Sequence, residues 1–315
     1  MTILVTGVGA IIGYGIINSL RQQSLHPVRI VGMDIYEDAY GQFLCDKFYV
    51  AERADSPDYQ SFISELIEKE QIDLIIPGIE QDMYRLFDLK DRINTKVVLN
   101  NELLIRLSKD KLETYKYFLE KGLNVIPTLF QASYDECVRR LGSPFLLKLR
   151  SSYASKGIHK IYSKEEFDFY NRDKEANIYQ RIIGTDTEEY TISVFGKADG
   201  TYADHIILKR KLAQTGATDK ATLIPYDESI MRYVDEICRL TKPDGPTNIQ
   251  LRKEGDSVYL LEINPRISSA CSIRTRMGYN DPLKCIEYYL FGRFMPQSEK
   301  KALHAVRYIS DFFYE

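Results

Sequence analysis

Two short segments hold the side chains best suited to chemistry. Asn248-Ile249-Gln250-Leu251 is followed by Tyr259-Leu260-Leu261-Glu262-Ile263-Asn264-Pro265-Arg266. Both read as strands, joined by a turn at Glu254-Gly255-Asp256. Glu262 and Asn264 lie two apart, so strand alternation puts both on one face. If the turn pairs the two strands, Gln250 lies beside them. Three oxygen-bearing side chains on one sheet face suit a hard cation that also takes phosphate oxygens and water, as Mg²⁺ does. Arg266 follows on the same face, with a planar fork that can hold a phosphate or carboxylate. A hairpin with a polar solvent face also accounts for Glu262, but it does not predict the whole E-I-N-P-R run.

Other candidates stand elsewhere. Gly7-x-Gly9-x-x-x-Gly13 sits between a strand and a helix, where backbone N–H groups such as that of Gly9 can face an anion. Asp34 ends the second strand, where a dinucleotide fold places its ribose-binding acid. This supports a nicotinamide-dependent oxidoreductase as a rival reading; equally, the glycines only allow close strand–helix packing. Lys148 stands in an apolar strand, where a charge calls for a partner. Ser268, Arg274 and Arg276 follow the cation segment and can bind a carboxylate substrate, although the two arginines also read as surface charges.

The cation segments resemble the metal-binding strands of the ATP-grasp family, closest in style to the carbamoyl-phosphate synthetase large-subunit branch. The resemblance implies that Gln250, Glu262 and Asn264 hold Mg²⁺ (with Mn²⁺ an acceptable substitute) on the phosphates of ATP. It implies that Arg266 and Arg210 act on the transferring phosphoryl group. Ser108-Lys109-Asp110-Lys111-Leu112 resembles the family's D-K motif, making Lys111 an ATP contact. Pro144-Phe145-Leu146-Leu147-Lys148 resembles its P-x-x-x-K strand. Residues 151–157 occupy the place of its phosphate-covering loop, with Lys156 as the contact. Tyr179-Gln180-Arg181-Ile182 resembles the adenine hinge, with Gln180 where a glutamate is commoner. Glu189, or Glu188, would take the ribose hydroxyls. Lys209-Arg210-Lys211 matches the basic strand facing the triphosphate, with Lys209 or Arg210 turned inward. Pro77-x-x-Glu80-x-Asp82 resembles an element lining the substrate cleft; alternatively its acids favour the first turn of a helix.

The elements that must position these residues change character along the chain. Residues 2–6, 28–33, 72–76 and 97–99 read as strands alternating with helical stripes such as Ile12, Ile16, Ile17 and Leu20. That alternation predicts a parallel sheet with helices on both faces. Beyond about Leu107, a helix over 110–121 precedes strands at 145–149, 158–162, 177–182, 190–195 and 205–212, paired through turns as antiparallel sheet. A helix over 229–240 precedes the cation hairpin, and a last helix spans 282–291. The expected fold is α/β and α+β: a Rossmann-like parallel-sheet domain over 1–107, then a two-subdomain ATP-grasp fold with a central subdomain over 108–186 and a metal-bearing subdomain over 187–315.

Composition narrows the reading without deciding it. The 315 residues carry a formal charge of −3, which gives no reason to expect nucleic acid. Five scattered cysteines without a C-x-x-C suggest reduced thiols in a cytoplasmic protein. The apolar start lacks a basic leader, and no run approaches the ~20 apolar residues of a membrane helix. The short stretch after Arg266 leaves little room for an added catalytic domain. The expected activity is an ATP- and Mg²⁺-dependent, ADP-forming carboxylate–amine ligase. Its partners would be small-molecule carboxylates and amines, without nucleic acid or membrane, and a homodimer is allowed. A non-catalytic ATP-binding module is a second rival.

Overall fold

The computed structural model describes residues 1–151, 157–185, 187–213, 216–301, 303–308 and 311–313. Five strands open the chain: β1 (Thr2–Thr6), β2 (Arg29–Asp34), β3 (Lys47–Val50), β4 (Leu74–Ile76) and β5 (Lys96–Val97). They form one parallel sheet in the order β3-β2-β1-β4-β5. Such a sheet must be covered on both faces. Helix α1 (Ile11–Gln22) buries Ile16, Ile17 and Leu20 against Ile3 and Val5 on one face. Helices α2 (Tyr59–Glu70) and α3 (Glu80–Leu89) bury Ile63, Leu66, Leu86 and Leu89 against Leu4, Val31 and Met33 on the other.

Two helices lead out of this sheet: α4 (Glu102–Ser108), capped by Asn101, and α5 (Lys111–Glu120), capped by Asp110. A four-stranded antiparallel sheet follows, built from β6 (Thr128–Leu129), β7 (Phe145–Leu149), β8 (Ile158–Ile161) and β9 (Asn177–Gln180) in the order β6-β9-β7-β8. Helices α6 (Tyr134–Leu141) and α7 (Lys164–Tyr170) supply Cys137, Leu141 and Phe167 to its apolar core, beside Phe145 and Tyr179.

The third sheet is antiparallel, in the order β14-β13-β10-β11-β12-β15. Its strands are β10 (Glu189–Lys197), β11 (Tyr202–Leu212), β12 (Thr218–Ile224), β13 (Asp244–Glu254), β14 (Ser257–Asn264) and β15 (His304–Val306). Helix α8 (Glu228–Thr241) covers one face, packing Ile230, Val234 and Ile237 against Ile192, Val194 and Ile249. Alternation then sends Glu189, Thr191, Asn248, Gln250 and Arg252 to the other face. The short helices α9 (Cys271–Arg276) and α10 (Asp281–Cys285) return the chain to the first sheet, where Cys271, Cys285 and Ile286 join the α1 core.

The parallel sheet and the antiparallel region have the fold class expected. Sequence reading did not name β3, β6, β12 or β15. β3 is a four-residue edge strand opening on a lysine, and β15 has three residues, too few to show a period. The last helix is shorter than expected, because beyond Cys285 the backbone continues as a π-helical turn over Ile286–Leu290. Among the described residues, no helix is long and apolar enough to cross a membrane.

Candidate active site

The two antiparallel sheets face each other across a cavity of about 730 Å³. The small sheet contributes Leu146, Lys148, Ile158, Lys160 and Gln180, and the large one Glu189, Arg210, Leu212, Gln250, Arg252 and the run Leu260 to Ile263. The first domain closes one end with Ala10, Ile11, Gly78, Ile79 and Glu80, and the segment over 180–183, expected as a hinge, also lines the cavity. Seven lysines and arginines line this space against three glutamates, an excess of cations suited to a polyanion.

The expected cation segments form neighbouring strands, with Gln250 opposite Glu262 and Asn248 opposite Asn264. Gln250 and Glu262 line the cavity. Asn264 is buried at 3% exposure and is not among the lining residues; its amide nitrogen has no hydrogen-bond partner. Gln250 Oε1 already accepts a bond from Arg210 Nη2 at 2.6 Å. In the cavity itself Glu262 offers a carboxylate and Gln250 a carboxamide oxygen, a pair that suits a hard cation drawing its remaining ligands from phosphate and water. Among the described residues, no group of three or more His, Cys, Asp or Glu stands where it could hold a metal, so such a cation depends on the carboxamides.

Lys148 is buried on β7 in the cavity wall and donates to Gln180 Oε1 at 2.6 Å, while Gln180 donates to Thr128 Oγ1 at 3.1 Å. Gln180 therefore partners the buried lysine through a neutral amide. Burial, reinforced by the charges of Arg252 and Lys111, pulls the Lys148 ammonium down to about 8. Lys111 opens α5 and also titrates below the usual lysine range, chiefly through burial. Arg181 and Ile182 line the cavity beside Gln180, with Arg181 paired to Glu254 at 2.7 Å.

On β10 and β11 the choice of residue is plain. Glu189 is buried in the cavity wall, where Arg210 reaches Oε1 at 2.8 Å and Arg252 reaches Oε2 at 2.9 Å. Glu188 and Lys209 instead pair with each other at 2.7 Å, outside the cavity lining. Of the Lys209–Arg210 alternatives only Arg210 faces inward, because neighbouring strand residues point to opposite faces. Arg266 lines the first-domain end, paired to Glu80 at 2.5 Å. Ser268 lines the cavity nearby.

Three expectations change. Arg274 is completely buried and binds Ser268, Thr191 and Asn248, so it braces the wall from behind. Arg276 is exposed on α9, away from the cavity. Gly9 lines a second, smaller cavity of about 420 Å³ together with Asp34, Asp38, Glu52 and Asp82. Its N–H is taken by Asp34 Oδ2 at 2.8 Å. Four carboxylates and an occupied N–H oppose a pyrophosphate there. A Cβ on Gly13 would stand 2.3 Å from the Gly7 carbonyl oxygen, so this glycine serves close packing. Lys156 lies outside the described residues.

Sequence reading missed Arg252, Lys160 and Ile183, all of which line the cavity. Arg252 had a signal, since it stands two residues beyond Gln250 on one strand.

Residues 185–312 match the family described as ATP-grasp in the biosynthetic pathway with Ter operon, and residues 3–99 match a PylC-like N-terminal domain. The carbamoyl phosphate synthase large chain of Clostridium acetobutylicum is 24% identical over 242 residues, covering 70% of this chain and 22% of that protein. A formate-dependent phosphoribosylglycinamide formyltransferase of Methanocaldococcus jannaschii is 28% identical over 152 residues, covering 45% and 36%. The chain thus spans only about a fifth to a third of these two relatives. Among solved structures, N5-carboxyaminoimidazole synthetase from Staphylococcus aureus in complex with ADP has a TM-score of 0.75 at 17% identity, covering 95% of this chain and 79% of that one. Biotin carboxylase from Campylobacter jejuni has a TM-score of 0.72 at 14% identity, covering 96% and 74%. The strand pair and the facing sheets thus lie in a chain whose residues 185–312 match an ATP-grasp family behind a PylC-like N-terminal match over 3–99, and whose fold is shared with these solved structures.

Proposed function

We propose that this protein is an ATP- and Mg²⁺-dependent, ADP-forming ligase that activates a carboxylate as an acyl phosphate for attack by an amine. The supporting observation is the cavity between the facing sheets, rich in lysine and arginine, with Gln250, Glu262 and Arg266 in its wall. The proposed division sets 1–107 as the pre-ATP-grasp domain, 108–186 as the central subdomain and 187–315 as the metal-bearing subdomain.

In this reading the hinge over 180–183 receives adenine, and Glu189 receives the ribose hydroxyls. Lys111, Lys148 and Arg210 hold phosphate oxygens. Mg²⁺, held by Gln250, Glu262 and Asn264, would neutralise phosphate charge. Arg266 steadies the γ-phosphoryl group as a carboxylate oxygen attacks its phosphorus and the bond to ADP breaks. The amine then attacks the acyl carbon, phosphate leaves, and the amine proton passes to solvent or base. Catalysis of this kind is positioning and electrostatic stabilisation, and it needs no covalent enzyme intermediate. Relatives described as carbamoyl phosphate synthase and N5-carboxyaminoimidazole synthetase support a C–N bond-forming reaction.

The test is an ADP-release screen over paired carboxylates and amines with ATP and Mg²⁺. A productive pair should release ADP, and Glu262→Gln should abolish that release. Normal turnover by the variant would sink the assignment.

A further inference from the structure

Arg252 belongs to no motif that led to the site, yet it joins two of its parts. It follows Gln250 by two residues on β13, shares its face, and lies opposite Glu189 in the sheet register. Its Nη2 donates to Glu189 Oε2 at 2.9 Å, and its Nη1 donates to the Ile183 carbonyl oxygen at 3.3 Å. It therefore ties the Glu189 carboxylate to the hinge.

The occupancy of that carboxylate gives the contact its meaning. A carboxylate offers about four acceptor directions. Arg210 takes two on Oε1, through Nε at 3.1 Å and Nη2 at 2.8 Å. Arg252 takes one on Oε2. About one direction remains, on the oxygen that Arg252 holds. A group binding there must donate a proton, as a sugar hydroxyl does and an ionised phosphate does not.

We propose that Arg252 is a positioning residue for sugar recognition: it fixes Glu189 Oε2 against the hinge so that the free acceptor direction meets one ribose hydroxyl, giving preference for ribonucleotides over 2′-deoxyribonucleotides. The proposal rests on the nucleotide reading of the cavity.

Calorimetric titration of the full chain with ADP and with 2′-deoxy-ADP, each with Mg²⁺, tests it. Wild type should prefer ADP by about tenfold, the worth of one hydrogen bond to a charged group. Arg252→Ala should lose most of that ratio, and Arg252→Gln, which keeps one donor, should retain part of it. The Gln variant carries the test if the Ala variant fails to fold. A variant that weakens both nucleotides equally, or changes neither, would show a merely structural arginine and overturn the proposal; so would a wild type indifferent to the 2′-hydroxyl. A wild type that binds neither nucleotide overturns the nucleotide reading itself, a separate failure.

Discussion

Arg266 Nη2 donates to Glu80 Oε1 at 2.5 Å across 186 residues of sequence. The pair joins the first turn of α3 in the parallel-sheet domain to the residue that follows the cation strand. Both side chains are largely buried, so the guanidinium is held in one orientation at the end of the cavity. Arg266 Nη1 also bonds the Ile267 carbonyl at 3.1 Å, which anchors the other arm of the fork.

This fixes the expected split between binding and chemistry. Arg266→Ala should cut turnover by about a hundredfold to a thousandfold, the usual loss for one preorganised donor at a developing charge. Its affinity for ADP should change little, because the proposed hinge and lysine contacts would persist. Glu80→Gln should fall between wild type and Arg266→Ala. Steady-state kinetics with ADP titrations check both; a pure affinity defect in Arg266→Ala would move this arginine out of the chemical step.

In the proposed reading, Lys148 makes nucleotide binding pH-dependent. Its folded pKa of about 8 lies below the unfolded lysine value, so its buried ammonium costs stability below pH 8 and that cost is relieved as pH rises. Phosphate favours the charged form. ADP affinity should therefore be strongest below pH 8 and weaken by up to about tenfold per pH unit above it. Lys148→Met should bind weakly with a flatter profile between pH 7 and 9.5. An identical slope in wild type and variant would assign the titration to another group.

Gly13 answers the question posed by its glycine motif. Gly7 adopts φ +57° and brings its carbonyl within 2.3 Å of where a Gly13 Cβ would stand. Gly13→Ala should lower stability by about 1–3 kcal/mol, the usual cost of an overpacked interior. NAD(P)H fluorescence should not respond to wild type or variant. A neutral substitution in thermal unfolding, or saturable NAD(P)H binding, would revive the dinucleotide reading.

Much of the site could be read in the chain because its signals are local. The E-I-N-P-R run and the Gly255 turn sit within one hairpin, and it is the pairing through that turn that sets Gln250 opposite Glu262. Alternation also separates Lys209 from Arg210, but it cannot say which of the two points inward. That depends on Glu189 and Gln250, which lie on other strands and pair with Arg210. Arg274 misled for the same reason: its charge suggested a ligand, whereas Thr191, Asn248 and Ser268 surround it and bury it completely.

The sequence by itself determined the parallel-then-antiparallel order of elements, the pairing of the two strands through the Gly255 turn and the family resemblance, since all rest on residue type and short spacing. Only the tertiary structure decided which charges share the cavity. It set Arg252 and Arg210 on the two oxygens of Glu189, sealed Lys148 against Gln180, and brought Glu80 to Arg266. Those pairings join strands and helices far apart in sequence. Their energetics come from burial, which no short stretch of chain can set alone.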